Sequence, residues 1–172
     1  MKASIAALAA LVFASVAPAA PKPAGVAGTV TRVTDGDTLW FMPVGKQPVA
    51  VRLRDIDAPE ICQEWGAQAQ RALSDLALNK PAMLQAYGHD SFGRTVGVVF
   101  VDDINLGQQM VEDGNAWSLR TRNDHGPLVK QERMAKALAR GFHTQAGKMM
   151  PWDFRKAHGP CAAAAGASAA GR

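Results

Sequence analysis

Residues 49–54 read Val-Ala-Val-Arg-Leu-Arg, and this alternation limits the possible folds more than any other feature of the chain. Val49, Val51 and Leu53 share one face of an extended segment and Ala50, Arg52 and Arg54 the other, the pattern of a half-buried strand. Such a strand needs partners for its backbone groups. Two runs before it can supply them. Val26, Thr29, Val30 and Val33 make a first strand stopped by Asp35-Gly36. Thr38 to Met42 is a short β-branched and aromatic run, turned back by Val44-Gly45-Lys46-Gln47-Pro48. Three consecutive strands with tight turns form a meander.

Met83 to Tyr87 and Thr95 to Val101 read as two further strands, and helical periodicity separates the groups. After Gly66, residues Ala69, Leu73, Leu76 and Ala77 fall on one helix face, and Asn79-Lys80-Pro81 ends it. Asn105 is placed to cap a short helix through Met110 and Val111, closed by Gly114. Leu128, Ala135, Leu138 and Ala139 mark a last helix from Pro127 to Arg140, with Gly141 as its stop. Pro151-Trp152-Asp153-Phe154 reads as a tail that packs both aromatics onto the domain. Five short strands with three helices predict an α+β domain, mainly β, built as a five-stranded OB-fold barrel.

The ends of the chain call for a different reading. Lys2, the apolar run Ile5 to Val16 and the small residues of Ala17-Pro18-Ala19 have the order of a secretory signal, cleaved near Ala19. The run is shorter than the ~20 residues a membrane span needs, so no stable membrane association is expected after cleavage. The mature domain is therefore expected to be exported, to the periplasm or the cell exterior, and to occupy residues 26–161 as a monomer. Residues 162–172, an Ala/Gly/Ser run without a periodic face, are expected to be disordered. Export gives weight to the two cysteines, Cys62 and Cys161. A disulfide is the first expectation and two unpaired thiols the second; the histidines show no zinc-ligand spacing. The formal charge of +4 falls by one when Lys2 is removed, so basicity permits an anionic partner without requiring one.

Three segments carry chemistry: Asp35-Gly36-Asp37-Thr38, Arg52 to Glu60 within VRLRDIDAPE, and Asp90 to Arg94 (DSFGR). Alone, Asp-Gly-Asp is an ordinary turn. Together, Asp37, Asp57 and Glu60 place three carboxylates near strand ends in a basic chain, which implies a cation. Oxygen donors without Cys or His nearby indicate a hard one, Ca²⁺ or Mg²⁺. Arg52 and Arg94 offer forked guanidinium groups that suit a phosphate. Acids for a cation and a proton, with arginines for a phosphate, are what phosphodiester hydrolysis requires.

DGDTL, then RLRDIDAPE, then Gly93-Arg94, the Asn105–Gly114 segment, Ala116-Trp117 and the PWDFR tail resemble, in order and spacing, the staphylococcal nuclease (thermonuclease-like) family. The resemblance runs from about Val26 to Arg155. It implies a five-stranded barrel with three helices and a Ca²⁺-dependent endonuclease acting on DNA and RNA. By the same resemblance, Asp37 and Asp57 would bind calcium through carboxylates and Ala58 through its backbone carbonyl. Glu60 would be the general base, and Arg52 and Arg94 would clamp the scissile phosphate. The 5′ P–O bond would break, leaving 3′-phosphate ends.

Two departures stand out. Ala58 replaces a threonine, keeping a carbonyl and losing a hydroxyl. The segment Ser118 to Arg122 lacks the tyrosines that stack on the nucleotide in that family. Arg120 or Arg122 could hold a phosphate there, although a solvated surface role is the plainer reading, and Phe92 and Trp117 are the nearest aromatic substitutes. The alternative function is a catalytically silent OB-fold module that binds nucleic acid, yet such a module would lack some of the five charged residues, and all are present.

Overall fold

A computed structural model describes residues 25–121, 123–144, 148–159 and 161. The expected signal segment, the 162–172 tail and Arg122 lie outside the described residues. The meander is β1 (Val26–Val33), β2 (Thr38–Pro43) and β3 (Val49–Leu53). Alternation places Val30, Leu39, Phe41 and Val51 wholly inside. The other strands are β4 (Ile56–Asp57), β5 (Pro81–His89), β6 (Thr95–Val101), β7 (Ile104–Asn105) and β8 (Trp117–Ser118).

The sheet order is β3-β2-β1-β5-β6-β7, and β3 also pairs in parallel with β6, setting Val51 opposite Thr95 and Leu53 opposite Gly97. That second pairing closes the five long strands into the mixed barrel that the strand pattern predicts, and among the described residues none of the five is left as an open edge. β4 and β8 form a separate two-stranded ribbon. Helix α1 (Gly66–Ala77) buries Ala69, Leu73 and Ala77 at a spacing of four. Asn105 caps α2 (Leu106–Glu112), its side-chain oxygen accepting the Gln108 N–H at 3.2 Å. Helix α3 (Val129–Ala137) is shorter than the Pro127–Arg140 span expected, because Ala139 and Gly141 take left-handed backbone at φ 48° and 53°.

A fourth helix, α4 (Pro151–His158), replaces the expected tail. Pro151 at its first turn pre-sets φ, Asp153 sits near the positive end, and Arg155, Lys156 and His158 sit near the negative one. Its aromatics do not both pack inward. Trp152 is 68% exposed, since residues two apart point to different sides of a helix, while Phe154 is half-buried. No described helix is long and apolar enough to cross a membrane.

One buried charge ties α3 to the β4–β8 ribbon and the segment after it. Glu132 accepts from the Ser118 N–H at 3.1 Å and pairs with Arg120 and, at 2.6 Å, with Lys136. Burial opposes its ionisation, but Arg120 and then Lys136 outweigh it and hold the carboxyl below its ordinary value of 4.5. A lowered carboxyl contributes stability that is fully present above the unfolded value and is lost as pH falls through the folded one. Glu132→Gln is therefore expected to cost about 1.5–3 kcal/mol at pH 7. The deficit against the parent should shrink at pH 3, and thermal melts of both proteins at the two pH values measure it.

Candidate functional site

The turn after β1 is held by its own chain. Thr34 and Asp35 donate N–H groups to the Thr38 carbonyl at 2.9 and 3.4 Å, and Asp35 Oδ1 accepts the Asp37 N–H at 3.0 Å. This Asx turn explains why Asp-Gly-Asp suits the position. A Cβ on Gly36 would stand 2.7 Å from the Cβ atoms of both Ala58 and Ala69, so glycine lets the turn close on the segment that follows β4. Asp37 is buried beneath it. Its Oδ2 accepts the Ala58 N–H at 3.0 Å and its Oδ1 the Thr38 hydroxyl at 3.0 Å.

Arg52 lies opposite Thr38 in the β2–β3 register. Its Nη1 pairs with Asp37, and its Nη2 donates to Asp57 Oδ1 at 3.1 Å, so one guanidinium spans both acids. Asp57, buried on β4, is kept there by the pairing of β4 with Trp117. Burial, then the charge of Asp37, raise the Asp57 carboxyl above its ordinary value, although Arg155 and Arg52 work against both. Burial and then Asp37 push Asp35 up to about 6. Burial disfavours the Arg52 cation, but Asp37 and then Asp57 more than offset it, and its pKa lies above the ordinary guanidinium value.

Glu60 sits in a turn fastened twice by Gln63, whose N–H donates to the Glu60 carbonyl at 2.8 Å and whose Oε1 accepts the Glu60 N–H at 3.1 Å. Helix α1 starts so close that a Cβ on Gly66 would lie 2.0 Å from the Glu60 carbonyl oxygen. Arg94 follows a turn in which Gly93 takes φ 76° and Asp90 Oδ1 accepts the N–H groups of Phe92 and Arg94 at 2.9 and 3.0 Å. Its Nε donates to Asp90 Oδ2 at 2.7 Å and its Nη1 to the Thr38 hydroxyl at 3.2 Å. Thr38 thereby links Arg94 to Asp37.

These groups line or underlie one open cleft of about 680 Å³, with Asp37, Arg52, Glu60 and Arg94 on its wall. Asp37, Arg52, Asp57, Ala58, Glu60 and Arg94 are thus brought together. Phe92, 82% exposed, stands at the rim with the Arg94 guanidinium 5.5 Å from its ring. Trp117 and Arg120 do not line this cleft. Trp117 is only 5% exposed and stacks on Phe142 at 3.9 Å between centroids, leaving no face for a base. Arg120 is committed to the buried Glu132. Cys62 and Cys161 are bonded, with Cα atoms 5.7 Å apart.

Arg155 of α4 was not among the expected residues. Its Nη1 donates to Glu60 Oε1 at 2.6 Å and to Asp57 Oδ1 at 3.2 Å, and its Nη2 to Asp57 Oδ2 at 3.1 Å. Burial opposes its charge, while Asp57 and Glu60 raise its pKa above the ordinary value. One sequence signal could have found it. Cys62 follows Glu60 by two residues, so a bond to Cys161 brings the chain just after Arg155 beside Glu60.

The donor set suits a hard divalent cation in kind: Asp37 and Asp57 lie within reach of one guanidinium, and Asp35 adds a carboxyl at the cleft. Among the described residues no three His, Cys, Asp or Glu side chains converge as a cage. Both oxygens of Asp57 are also engaged by arginines.

A family described as "Staphylococcal nuclease homologue" matches residues 50–145. An "Uncharacterized endonuclease" of Haemophilus influenzae is 34% identical over 128 residues, covering 74% of this chain and 71% of that protein. "Protein ParB" of Escherichia coli is 35% identical over 162 residues, 88% of each chain. "Micrococcal nuclease" of Shigella flexneri is 32% identical over 169 residues, 91% of this chain and 97% of that one.

Proposed function

The chain belongs to the staphylococcal nuclease family and is a nuclease, and on that premise we propose an exported, calcium-dependent endonuclease that cleaves single-stranded DNA and RNA to products with 3′-phosphate ends. The observation that carries this reading is the convergence of Asp37, Asp57 and Glu60 with Arg52 and Arg94 at one cleft. Export is supported by the signal-like order of residues 1–19 together with the Cys62–Cys161 bond.

Bound at Asp37, Asp57 and the Ala58 carbonyl, calcium would supply Lewis-acid polarisation of a phosphate oxygen. Glu60 takes a proton from water as the water oxygen bonds to phosphorus. The 5′ P–O bond breaks, the 5′ oxygen leaves with a proton taken from solvent water, Glu60 later returns its proton to solvent, and the phosphate stays on the 3′ oxygen. Arg94 keeps its Nη2 donors outside the Asp90 and Thr38 contacts, and these can meet a phosphate oxygen as charge grows on it. Arg52 balances the acids and is presented to the same cleft. Phe92 offers an exposed ring for base stacking at the rim.

The test is digestion of single-stranded DNA and RNA with Ca²⁺, with Mg²⁺ and with a calcium chelator, followed by analysis of the ends. Calcium should restore cleavage after chelation, and phosphatase should convert the 3′ ends to hydroxyls. Cleavage that survives chelation, or 5′-phosphate products, would sink the reading.

A further inference from the structure

We propose that Arg155 is a positioning residue for Glu60, held beside it by the Cys62–Cys161 disulfide and by Gln63. The proposal rests on the reading of Glu60 as general base. Its geometric content is a single guanidinium that grips Glu60 Oε1 at 2.6 Å and both oxygens of Asp57 at 3.2 and 3.1 Å. Among the described residues Glu60 Oε2 has no hydrogen-bond partner. One oxygen of the carboxylate is thus tied down while the other stays open to take a proton. A planar fork can do this with two acids at once; an ammonium cannot reproduce the geometry.

A guanidinium on two site carboxylates could also be a blocking lid, but its attachments argue otherwise. The Gln63 side chain accepts the Glu60 N–H with Oε1 and donates from Nε2 to the Met149 carbonyl at 2.7 Å, just before α4 begins. Beyond α4, Cys161 is bonded to Cys62. Both fastenings therefore reach the short stretch that carries Glu60, one from each end of the helix. Phe154, the neighbour of Arg155, faces Gln63, Trp65, Trp117 and Phe142 across a small pocket. Here the segment is fastened on both sides to the stretch that carries Glu60, which holds Arg155 against Glu60 rather than free to swing away from it. Fixing a reacting group in this way matters because small misplacements cost large factors in rate.

The experiment is a double-mutant cycle in the full chain, read by single-turnover and steady-state kinetics. Arg155→Ala should lower kcat on the order of 10- to 100-fold, with KM changed by less than about threefold. In the Glu60→Gln background the same change should cost less than about threefold, because the group it positions is gone. Arg155→Lys should recover only part of the loss. Reduction of the disulfide below the melting transition should lower the activity of the parent but not of Arg155→Ala. A crystal structure of Arg155→Ala should show the Glu60 carboxylate displaced or in several rotamers. An equal loss in both backgrounds, a change confined to KM, or a rise in kcat would overturn the proposal, the last in favour of a lid. Should Arg155→Ala fail to fold, Arg155→Lys carries the test, and full activity there would sink it. If Glu60→Gln is itself as active as the parent, the general-base reading fails; if it is inactive while Arg155→Ala is unaffected, the positioning role alone fails.

Discussion

Glu60→Gln is expected to lower kcat by about 10²–10⁴ while leaving KM nearly unchanged. Glutamine preserves the volume of the side chain and a carbonyl oxygen for Arg155, but it has no basicity, so proton removal from the attacking water reverts to solvent. A loss of that size corresponds to about 2.7–5.5 kcal/mol in the barrier. Substrate affinity should barely move, because the proposed phosphate contacts are Arg94 and Arg52 and the proposed stacking surface is Phe92, and among the described residues neither arginine hydrogen-bonds to Glu60. Steady-state kinetics on a defined oligonucleotide decide it. A variant that keeps kcat within a few-fold of the parent would exclude Glu60 as base, and one that raises KM alone would reassign it to substrate binding.

Breaking the Cys62–Cys161 bond should have the largest effect on stability. The bond closes a loop spanning a sequence separation of 99, most of the described domain. In the chain-entropy account such a loop restricts the unfolded chain by about 4–5 kcal/mol. For a domain of this size that is a fall in Tm of roughly 10–15 °C. The Cys62→Ser/Cys161→Ser double variant and the reduced parent should agree, since both release the same loop. Cys62 is exposed, so a reductant can reach it without prior unfolding. Equal melting temperatures before and after reduction, with free thiols counted to prove it complete, would show that the bond does not restrict the unfolded chain by this amount.

The barrel was legible because its signals are local: strict alternation in 49–54, turn residues at Asp35-Gly36 and Gly45, and a four-residue apolar spacing in α1. The acids and arginines were legible for the same reason, as each sits in a short segment at a strand end. What escaped depends on distant pairings. Trp117 looks available until β4 pairs with β8 and Phe142 stacks on it. Arg120 looks like a free surface cation until α3 brings Glu132 beneath it. Helix α4 was hidden because Trp152 and Phe154 are two apart, a strand-like spacing, while its stability rests on proline, end charges and a covalent tether. Arg155 belongs to that helix, and in the sequence only the Cys62–Cys161 pairing hints at its place beside Glu60.

The parallel pairing of β3 with β6 has a consequence for timing. Arg52 lies within this seam and Arg94 directly precedes it, since Arg52 pairs with Val96. Hairpins form early because their partners are near in sequence; a parallel contact across more than forty residues comes late. A chain that has made only its hairpins keeps the two arginines apart. Closure of the barrel is therefore the step that brings Arg52 and Arg94 to one cleft.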